Sequence, residues 1–367
     1  MAKISTMRDV ARLAGVSVTT VSRVINHVGY IGADTRRAVE EAIATLGFVP
    51  SASARGLAAR QTGMLGMCLP DIGLESALHR APQVGERAEL VVDPAAPSVQ
   101  SWASMLFSEV IRGAEFAAGQ AGLALTIAVA RPPEVAARAR ELAGRVDGLI
   151  VVAETLSDEL IRHVAHRVPV VLLSGRRPAG GYDRVGVDNA AGLRVLVEHL
   201  VRDHGIRDLQ YVAARAGAAD DAERFHGFCL ALAEAGLTAP PRPVLRGDFS
   251  RDTARTLART LAAGRRTGGP TFPRALVCAN DETALGFMDV LAAEGYDVPG
   301  DVIVTGFDGI DGARTSSPRL TTVEQPMADL GRLAVDVLRA RITDPGLPRQ
   351  NLIVPVRVLL RESCGTH

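Results

Sequence analysis

Residues 7–26 read MRDVARLAGVSVTTVSRVIN. Met7, Val10, Ala11 and Ala14 stand at i, i+3, i+4 and i+7, which puts them on one face of a short helix. Gly15 breaks that helix, and Val21, Val24 and Ile25 open a second apolar stripe at helical spacing. The other side of the second helix carries Thr19, Thr20, Ser22, Arg23 and Asn26, short polar side chains around one arginine with no acid. Thr6 followed by Asp9 has the form of a capping box, with aspartate in place of the usual glutamate. The Ser17 hydroxyl can cap the second helix by accepting an orphan backbone N–H. A third helix is expected over 33–46, with Val39, Ala42, Ile43 and Leu46 on one face and Gly47 as its stop. Three short helices with a tight glycine-containing turn between the first two make a helix-turn-helix.

In that motif the second helix enters the major groove and its first residues meet base edges. Short hydroxyls permit close approach, and Arg23 can reach guanine or phosphate. Val18 is ambiguous: it can complete the apolar stripe or touch a thymine methyl. Taken by itself, the pattern also fits a small solvated helical hairpin that binds nothing.

The chain has 367 residues, 47% hydrophobic and 22% charged, which is the composition of a globular protein of more than one domain. The formal net charge is zero, but it is unevenly spread. Residues 1–62 hold eight Lys/Arg against four Asp/Glu, so that piece carries +4 and the remainder −4. A basic N-terminal piece on an acidic body points to a polyanion partner for the small piece only. No apolar run is long enough to span a membrane, and the N-terminus has no apolar signal core, so a cytoplasmic protein is expected. Cys68, Cys229, Cys278 and Cys364 lie far apart without metal-ligand spacing. Cys68 and Cys278 sit in apolar runs and read as reduced core residues. Neither a metal nor a cofactor is expected.

The run from MRDVARLAGVSVTTVSRVIN through TRRAVEEAIATLGFVPSASARGL resembles the headpiece of the lactose-repressor/galactose-repressor (LacI/GalR) family of bacterial transcription regulators, unbroken over residues 6–57. The resemblance implies that Thr6, Ser17, Val18, Thr19, Thr20, Ser22, Arg23, Asn26 and Tyr30 face DNA, with Val18 and Thr19 at the two positions that most strongly set operator sequence. Residues 51–60, SASARGLAAR, are too short to be a stable helix alone in water, and Gly56 lowers helicity further. Such a linker can fold when something covers it. In the family this segment forms a helix on DNA, paired with its copy from a second subunit, and wedges a leucine into the minor groove. Leu57 holds that place, and Ala54, Arg55 and Arg60 join it as DNA contacts. Family sequences often have asparagine where Ser51 stands, and serine can still cap.

From Met64 onward, short apolar runs at 64–69, 123–130, 148–152, 168–173, 209–212, 275–278 and 302–307 read as strands. Helical patterns such as 222–235 and 282–294 lie between most of them, an alternation that gives parallel sheets covered on both faces. The run LTTVEQPMADLGRLAVDVL resembles the family's late crossover strand and last long helix. The implied fold class is an all-α helix-turn-helix headpiece plus an α/β core of two lobes, like the periplasmic sugar-binding proteins. The expected organisation is a headpiece at 1–50, a hinge at 51–62, and an effector-binding and dimerisation core at 63–367. An insertion atypical of the family covers about 73–102. It is rich in proline and alanine and reads as at least partly without fixed structure.

Ligands in open α/β sheets sit beyond the carboxyl ends of the strands. Asp71, Ser174, Asn280 and Asp308 all follow predicted strands. Asp281 reads instead as a helix cap or turn former. The resemblance implies effector contacts for Asp308 in GFD, Arg224 in ERFHGF, Phe249 in GDFS, Asp188 in VGVDN and Phe107 in LFSEVIRGAE. Many relatives have aspartate where Ser174 stands. Carboxylate acceptors, an arginine donor and an aromatic face suit a polar ring such as a sugar or nucleobase.

The expected protein is therefore a homodimer, or a higher oligomer, that binds near-palindromic operator DNA under control of a small effector. A transport solute-binding protein explains the body but not the headpiece. An enzyme on a nucleotide-binding fold lacks a G-x-G-x-x-G after the first strand and a P-loop, and Ser174, His226 and Asp308 form no recognisable nucleophile–base arrangement. A regulator without effector control fits the same sequence.

Overall fold

The computed structural model describes residues 5–25, 29–48, 61–70, 101–131, 133–176, 181–266 and 272–366. Asn26, Ser51, Ala54, Arg55, Gly56, Leu57, Arg60, Asp71 and residues 73–100 of the insertion lie outside them. The chain divides into two compact units, Met1–Gly63 and Met64–His367.

In the first unit, α1 spans Met7–Leu13, α2 Val18–Ile25 and α3 Ala33–Leu46. The Thr6 backbone N–H donates to Asp9 Oδ2 (3.0 Å) and the Asp9 N–H to Thr6 Oγ1 (3.4 Å), so the capping box forms with aspartate. Ser17 Oγ accepts from the Thr20 N–H (3.0 Å) and starts α2. Gly47 takes a left-handed conformation (φ +56°), and the Phe48 N–H returns to the Ile43 carbonyl. Val10, Ala11, Val21, Val24, Val39 and Ala42 bury the faces that the periodicity marked.

The second unit holds two six-stranded sheets. Strands β1 (Met64–Pro70), β2 (Ala124–Ala130), β3 (Gly148–Val152), β4 (Val170–Leu173), β5 (Asp183–Val187) and β11 (Asn351–Val354) form the first, in the order β11-β5-β4-β3-β1-β2. Strands β6 (Leu209–Ala213), β7 (Leu245–Arg246), β8 (Ala275–Cys278), β9 (Ile303–Asp308), β10 (Thr321–Glu324) and β12 (Arg357–Leu359) form the second, in the order β12-β10-β9-β8-β6-β7. Pairing is parallel except at the edge, where β12 runs antiparallel to β10, a departure from the all-parallel expectation. Both faces of each sheet are covered, and the alternation of one strand proves it. Leu65, Met67 and Leu69 of β1 join one apolar cluster while Cys68 joins another. In β6, Tyr211 and Ala213 face one core and Val212 the other.

Six longer helices complete the lobes: α4 (Ser101–Gln120), α7 (Asn189–Arg202), α8 (Ala219–Glu234), α9 (Arg251–Arg266), α10 (Asp281–Ala293) and α12 (Met327–Thr343). Shorter ones are α5 (Val135–Ala143), α6 (Asp158–Ala165) and α11 (Asp311–Thr315). α4 and α12 pack backbone to backbone, because a Cβ on Gly331 would stand 2.0 Å from the Val110 carbonyl oxygen. The chain crosses between lobes after β5, after β10 and between β11 and β12. Cys68 and Cys278 are free, buried thiols, and burial pushes Cys68 up to about 11 and Cys278 higher still.

Candidate functional site

The headpiece presents one polar helix face. On α2, Val21 and Val24 are buried, whereas Thr19 and Arg23 are exposed and Thr20 and Ser22 half-buried. Val18 is 40% exposed, so it does not complete the core stripe. Tyr30 is 93% exposed, a large ring that no core residue covers. Polar groups of this surface are engaged locally. The Thr6 hydroxyl donates to Asp9 Oδ2 (2.6 Å), and Ser17 Oγ lies 2.9 Å from Thr20 Oγ1. Hydroxyls, a valine methyl pair and an arginine on one helix face are groups that read major-groove edges.

The second cluster lies in the core, where the strand ends of the two sheets meet. Arg224 on α8 is only 5% exposed. Its Nε–H donates to Asn189 Oδ1 (2.9 Å) and its NH1 to the Ala279 carbonyl (2.6 Å), while NH1 stands 3.6 Å from Asp308 Oδ1. Its guanidinium carbon sits 3.7 Å above the centroid of the Phe307 ring, a cation–π contact. Gly227 makes this possible. A Cβ there would lie 2.2 Å from the Ala190 carbonyl oxygen, so α8 can press against the start of α7 and bring Arg224 to Asn189.

Asp308 ends β9 at φ +124°, a backbone conformation that L residues rarely adopt. Its Oδ1 accepts from Gln325 Nε2 (2.7 Å). Burial pushes its carboxyl up to about 6, against the opposing pull of the Arg224 charge and the Gln325 hydrogen bond. Asp281 holds the turn that follows. It accepts from the N–H groups of Gly309 (2.8 Å) and Ile310 (2.9 Å) and from Thr322 Oγ1 (2.5 Å). It therefore finishes a turn, while the cap of α10 belongs to Asn280, whose Oδ1 accepts from the Thr283 N–H and hydroxyl. The Asn280 Nδ2 donates to the Phe249 carbonyl (3.1 Å), and Phe249, at φ +73°, packs against the core that contains Phe307.

The expected effector residues do not share one cavity. Asp308 lines a cavity of about 500 Å³ with Gly309, Glu324, Gln325 and Met327, and with Ser108 and Glu109 of α4. Ser174, at φ +64°, lines a second one of about 330 Å³ with Glu154, Gly175 and Ala219. Asp188 caps α7 through the Ala191 N–H (3.0 Å). Phe107 packs on the core of the first lobe, one residue before cavity-lining Ser108.

Several cleft residues had no signal in the sequence. Asp220 of α8 accepts from the Gly175 N–H of the other lobe (3.1 Å) and from Asn189 Nδ2 (3.1 Å). Glu223 accepts from the same Asn189 amide (2.9 Å) and lies 3.6 Å from Arg184. Glu154 reaches across to the Ala219 N–H (3.1 Å) and to Arg215. These acids sit within a turn of Arg224 on α8 or one loop from a strand end. Only the lobe packing distinguishes them from solvated charge. Among the described residues, no helix is long and apolar enough to cross a membrane.

Residues 6–51 match the lacI family of bacterial regulatory proteins, and residues 197–364 match the periplasmic binding protein-like domain. The HTH-type transcriptional repressor PurR of Vibrio campbellii is 32% identical over 348 residues, covering 93% of each chain. PurR of Photobacterium profundum is 30% identical over 365 residues, covering 98% of each. Among solved structures, the lac repressor dimer bound to operator and the anti-inducer ONPF superposes with a TM-score of 0.78. That match has 25% identity and spans 99% of this chain and 100% of the other. The transcriptional regulator CelR in complex with cellobiose is 27% identical at a TM-score of 0.66, over 98% and 99% of the two chains. With a helix-turn-helix unit, a core of two parallel-sheet lobes and full-length relatives of this kind, the chain belongs to the lacI family of bacterial regulatory proteins.

Proposed function

We propose that the chain is a homodimeric transcriptional repressor that binds a near-palindromic operator and releases or tightens on it when a small polar effector enters the core. A single headpiece reads only a few base pairs, and two reading a palindrome multiply specificity. Val18, Thr19, Thr20, Ser22, Arg23 and Asn26 are assigned to base and phosphate contacts, with Thr6, Ser17 and Tyr30 at the margin. Ala54, Arg55, Leu57 and Arg60 are assigned to a hinge that folds on DNA. The protein works where the chromosome is, in the cytoplasm, and we assign it a binding role and no reaction.

The observation that carries effector control is the buried Arg224–Asp308 pair at the junction of the lobes, half-made at 3.6 Å. Asp308, Asp188 and Asp220 offer acceptors, and Arg224, Asn189 and Gln325 offer donors, the complement of a hydroxyl-rich ring. Cellobiose in the CelR complex is of that class, so sugars are the favoured effectors and nucleosides the next. An effector that prefers one lobe arrangement shifts the balance by its differential affinity, typically about 1–3 kcal/mol.

A second reading has its own observation: Nε and NH1 of Arg224 already donate to Asn189 and to the Ala279 carbonyl. A regulator without effector control would look like this. Binding-site selection with the full chain, followed by operator titrations in the presence of sugars, nucleosides and amino acids that shift its thermal midpoint, tests both. Selection of no consensus would sink the repressor reading. A consensus whose affinity none of those compounds changes would favour the uncontrolled regulator.

A further inference from the structure

His199 lies in the last turn of α7, and His204 follows just past its end. Their Nε2 atoms stand 3.1 Å apart, with the rings almost perpendicular at 89°. The other nitrogen of His199, Nδ1, is 2.6 Å from Asp203 Oδ2. The sulfur of Cys364, more than 150 residues on, arrives beside them, so that two imidazole nitrogens and one sulfur all lie within 4.8 Å of one another. Cys364 is held in place by its neighbour. Ser363 Oγ donates to the Val304 carbonyl (2.6 Å) and accepts from the Thr321 N–H (2.8 Å), which hooks the turn Glu362–Cys364 onto the second sheet.

We propose that His199, His204 and Cys364 bind one zinc ion, with the fourth position left to water. Around Zn²⁺ with nitrogen ligands at about 2.0–2.1 Å, a tetrahedral edge between two nitrogens is about 3.3 Å, close to the spacing of this pair. A carboxylate on the far nitrogen of a metal-bound histidine fixes its tautomer and aims the opposite lone pair inward, and Asp203 stands where that carboxylate belongs. A set of two imidazoles and a thiolate is borderline-soft, which suits zinc and disfavours magnesium or calcium. To complete the edge at about 3.5 Å the sulfur, now 2.9 Å from Thr321 Oγ1, would leave that hydroxyl and move inward by about 1 Å. Both histidines are half-buried and Asp203 is largely exposed, so an ion has a way in. The site is separate from the effector cleft. Asn189, the partner of Arg224, opens α7, and a 14-residue helix spans about 20 Å to the histidine end. A bound ion ties the end of the chain to α7.

The test uses the full chain stripped with a chelator and titrated with Zn²⁺ against a colorimetric competitor, and with Co²⁺ as a spectroscopic probe. The expected result is one equivalent bound, a thiolate-to-cobalt charge-transfer band, and a rise in thermal midpoint with Zn²⁺. Cys364→Ser should abolish the band, and His204→Gln should weaken binding at least tenfold. Operator binding of the metal-free variants should match the parent. No saturable binding would overturn the proposal and leave a histidine–histidine hydrogen bond. So would a band that survives Cys364→Ser, since the metal would then sit on another cysteine. If Cys364→Ser does not fold, His204→Gln decides: unchanged Co²⁺ affinity in that variant overturns the site.

Discussion

Each lobe buries an arginine–aspartate pair, and the two are built differently. In the first lobe, Asp183 of β5 is 0% exposed and Arg341 of α12 is 4% exposed. The guanidinium donates from Nε to Oδ2 (2.9 Å) and from NH2 to Oδ1 (3.0 Å), and its remaining donors reach the carbonyls of Pro345, Leu347 and Pro348. Arg349 (3.2 Å) and the Gln350 N–H (2.8 Å) donate to the same carboxylate. In the second lobe, Arg224 only approaches Asp308, at 3.6 Å, and its strong bonds go elsewhere. The carboxyls respond in opposite directions. Burial pushes Asp183 up, but its hydrogen bonds outweigh that and hold it below the ordinary range. For Asp308 burial wins, and the group rises to about 6. A fully bonded pair is a fixture that closes a long chain segment. A half-bonded pair keeps part of its capacity for a ligand.

The largest expected effect breaks the fixture. Arg341→Met strands the Asp183 carboxylate in the core and should cost about 3–5 kcal/mol in denaturant unfolding of the body. The operator consensus should not change. A cost below about 1 kcal/mol would erase the distinction between the pairs.

Asp308→Asn should do the reverse. It should fold within about 1 kcal/mol of the parent, because the pair contributes little, yet lose at least tenfold in effector affinity. A charge-assisted hydrogen bond contributes roughly 1.5–3 kcal/mol. The two carboxyls should also separate by pH. The folded state holds the Asp308 proton more tightly than the unfolded chain, whose value is about 3.9. Its contribution to stability therefore declines as pH rises from about 3.9 to about 6, while effector affinity through the carboxylate grows over that rise. The Asp183 contribution is present above about 3.9 and is lost as pH falls through its depressed folded value. Effector titrations at pH 5 and pH 7 that agree within error would place the ligand away from Asp308.

The headpiece sharpens the contrast, since Val18 and Thr19 are exposed. Exchanging Val18 and Thr19 should change the selected operator consensus, at roughly 1–3 kcal/mol for each base contact, with effector affinity intact. Variants of either buried pair should leave that consensus unchanged. The smallest effect belongs to Gly56→Ala. It should add about 0.5–1 kcal/mol of helix stability per subunit and tighten operator binding by up to tenfold at fixed salt. Unchanged affinity would make residues 51–60 a tether.

How much the sequence revealed depends on how local the cause is. Thr6, Asp9, Ser17 and Gly47 act within a few residues, so all three headpiece helices were legible, including the ends of α3. Seven strands with continuous apolar runs were found within two residues of their ends. β5 and β11 were not, because Asp183 and Arg184 look like surface residues until Arg341, Arg349 and Asn351 meet them from more than 150 positions away. The edge strand β12 runs antiparallel and half-exposed, with no continuous apolar signal. Asp308 and Arg224 were singled out by the motifs around them, and Asn280 by its place after a strand. Asn189, Asp220, Glu223 and Glu154 were not, because their roles arise only when two lobes close across three crossings of the chain. The sequence by itself determined the helix-turn-helix, the α/β alternation and the family. Tertiary structure decided which charges are buried, which pair is complete and which histidines meet a cysteine, because burial and ion pairing are properties of residues that are neighbours in space and strangers in sequence.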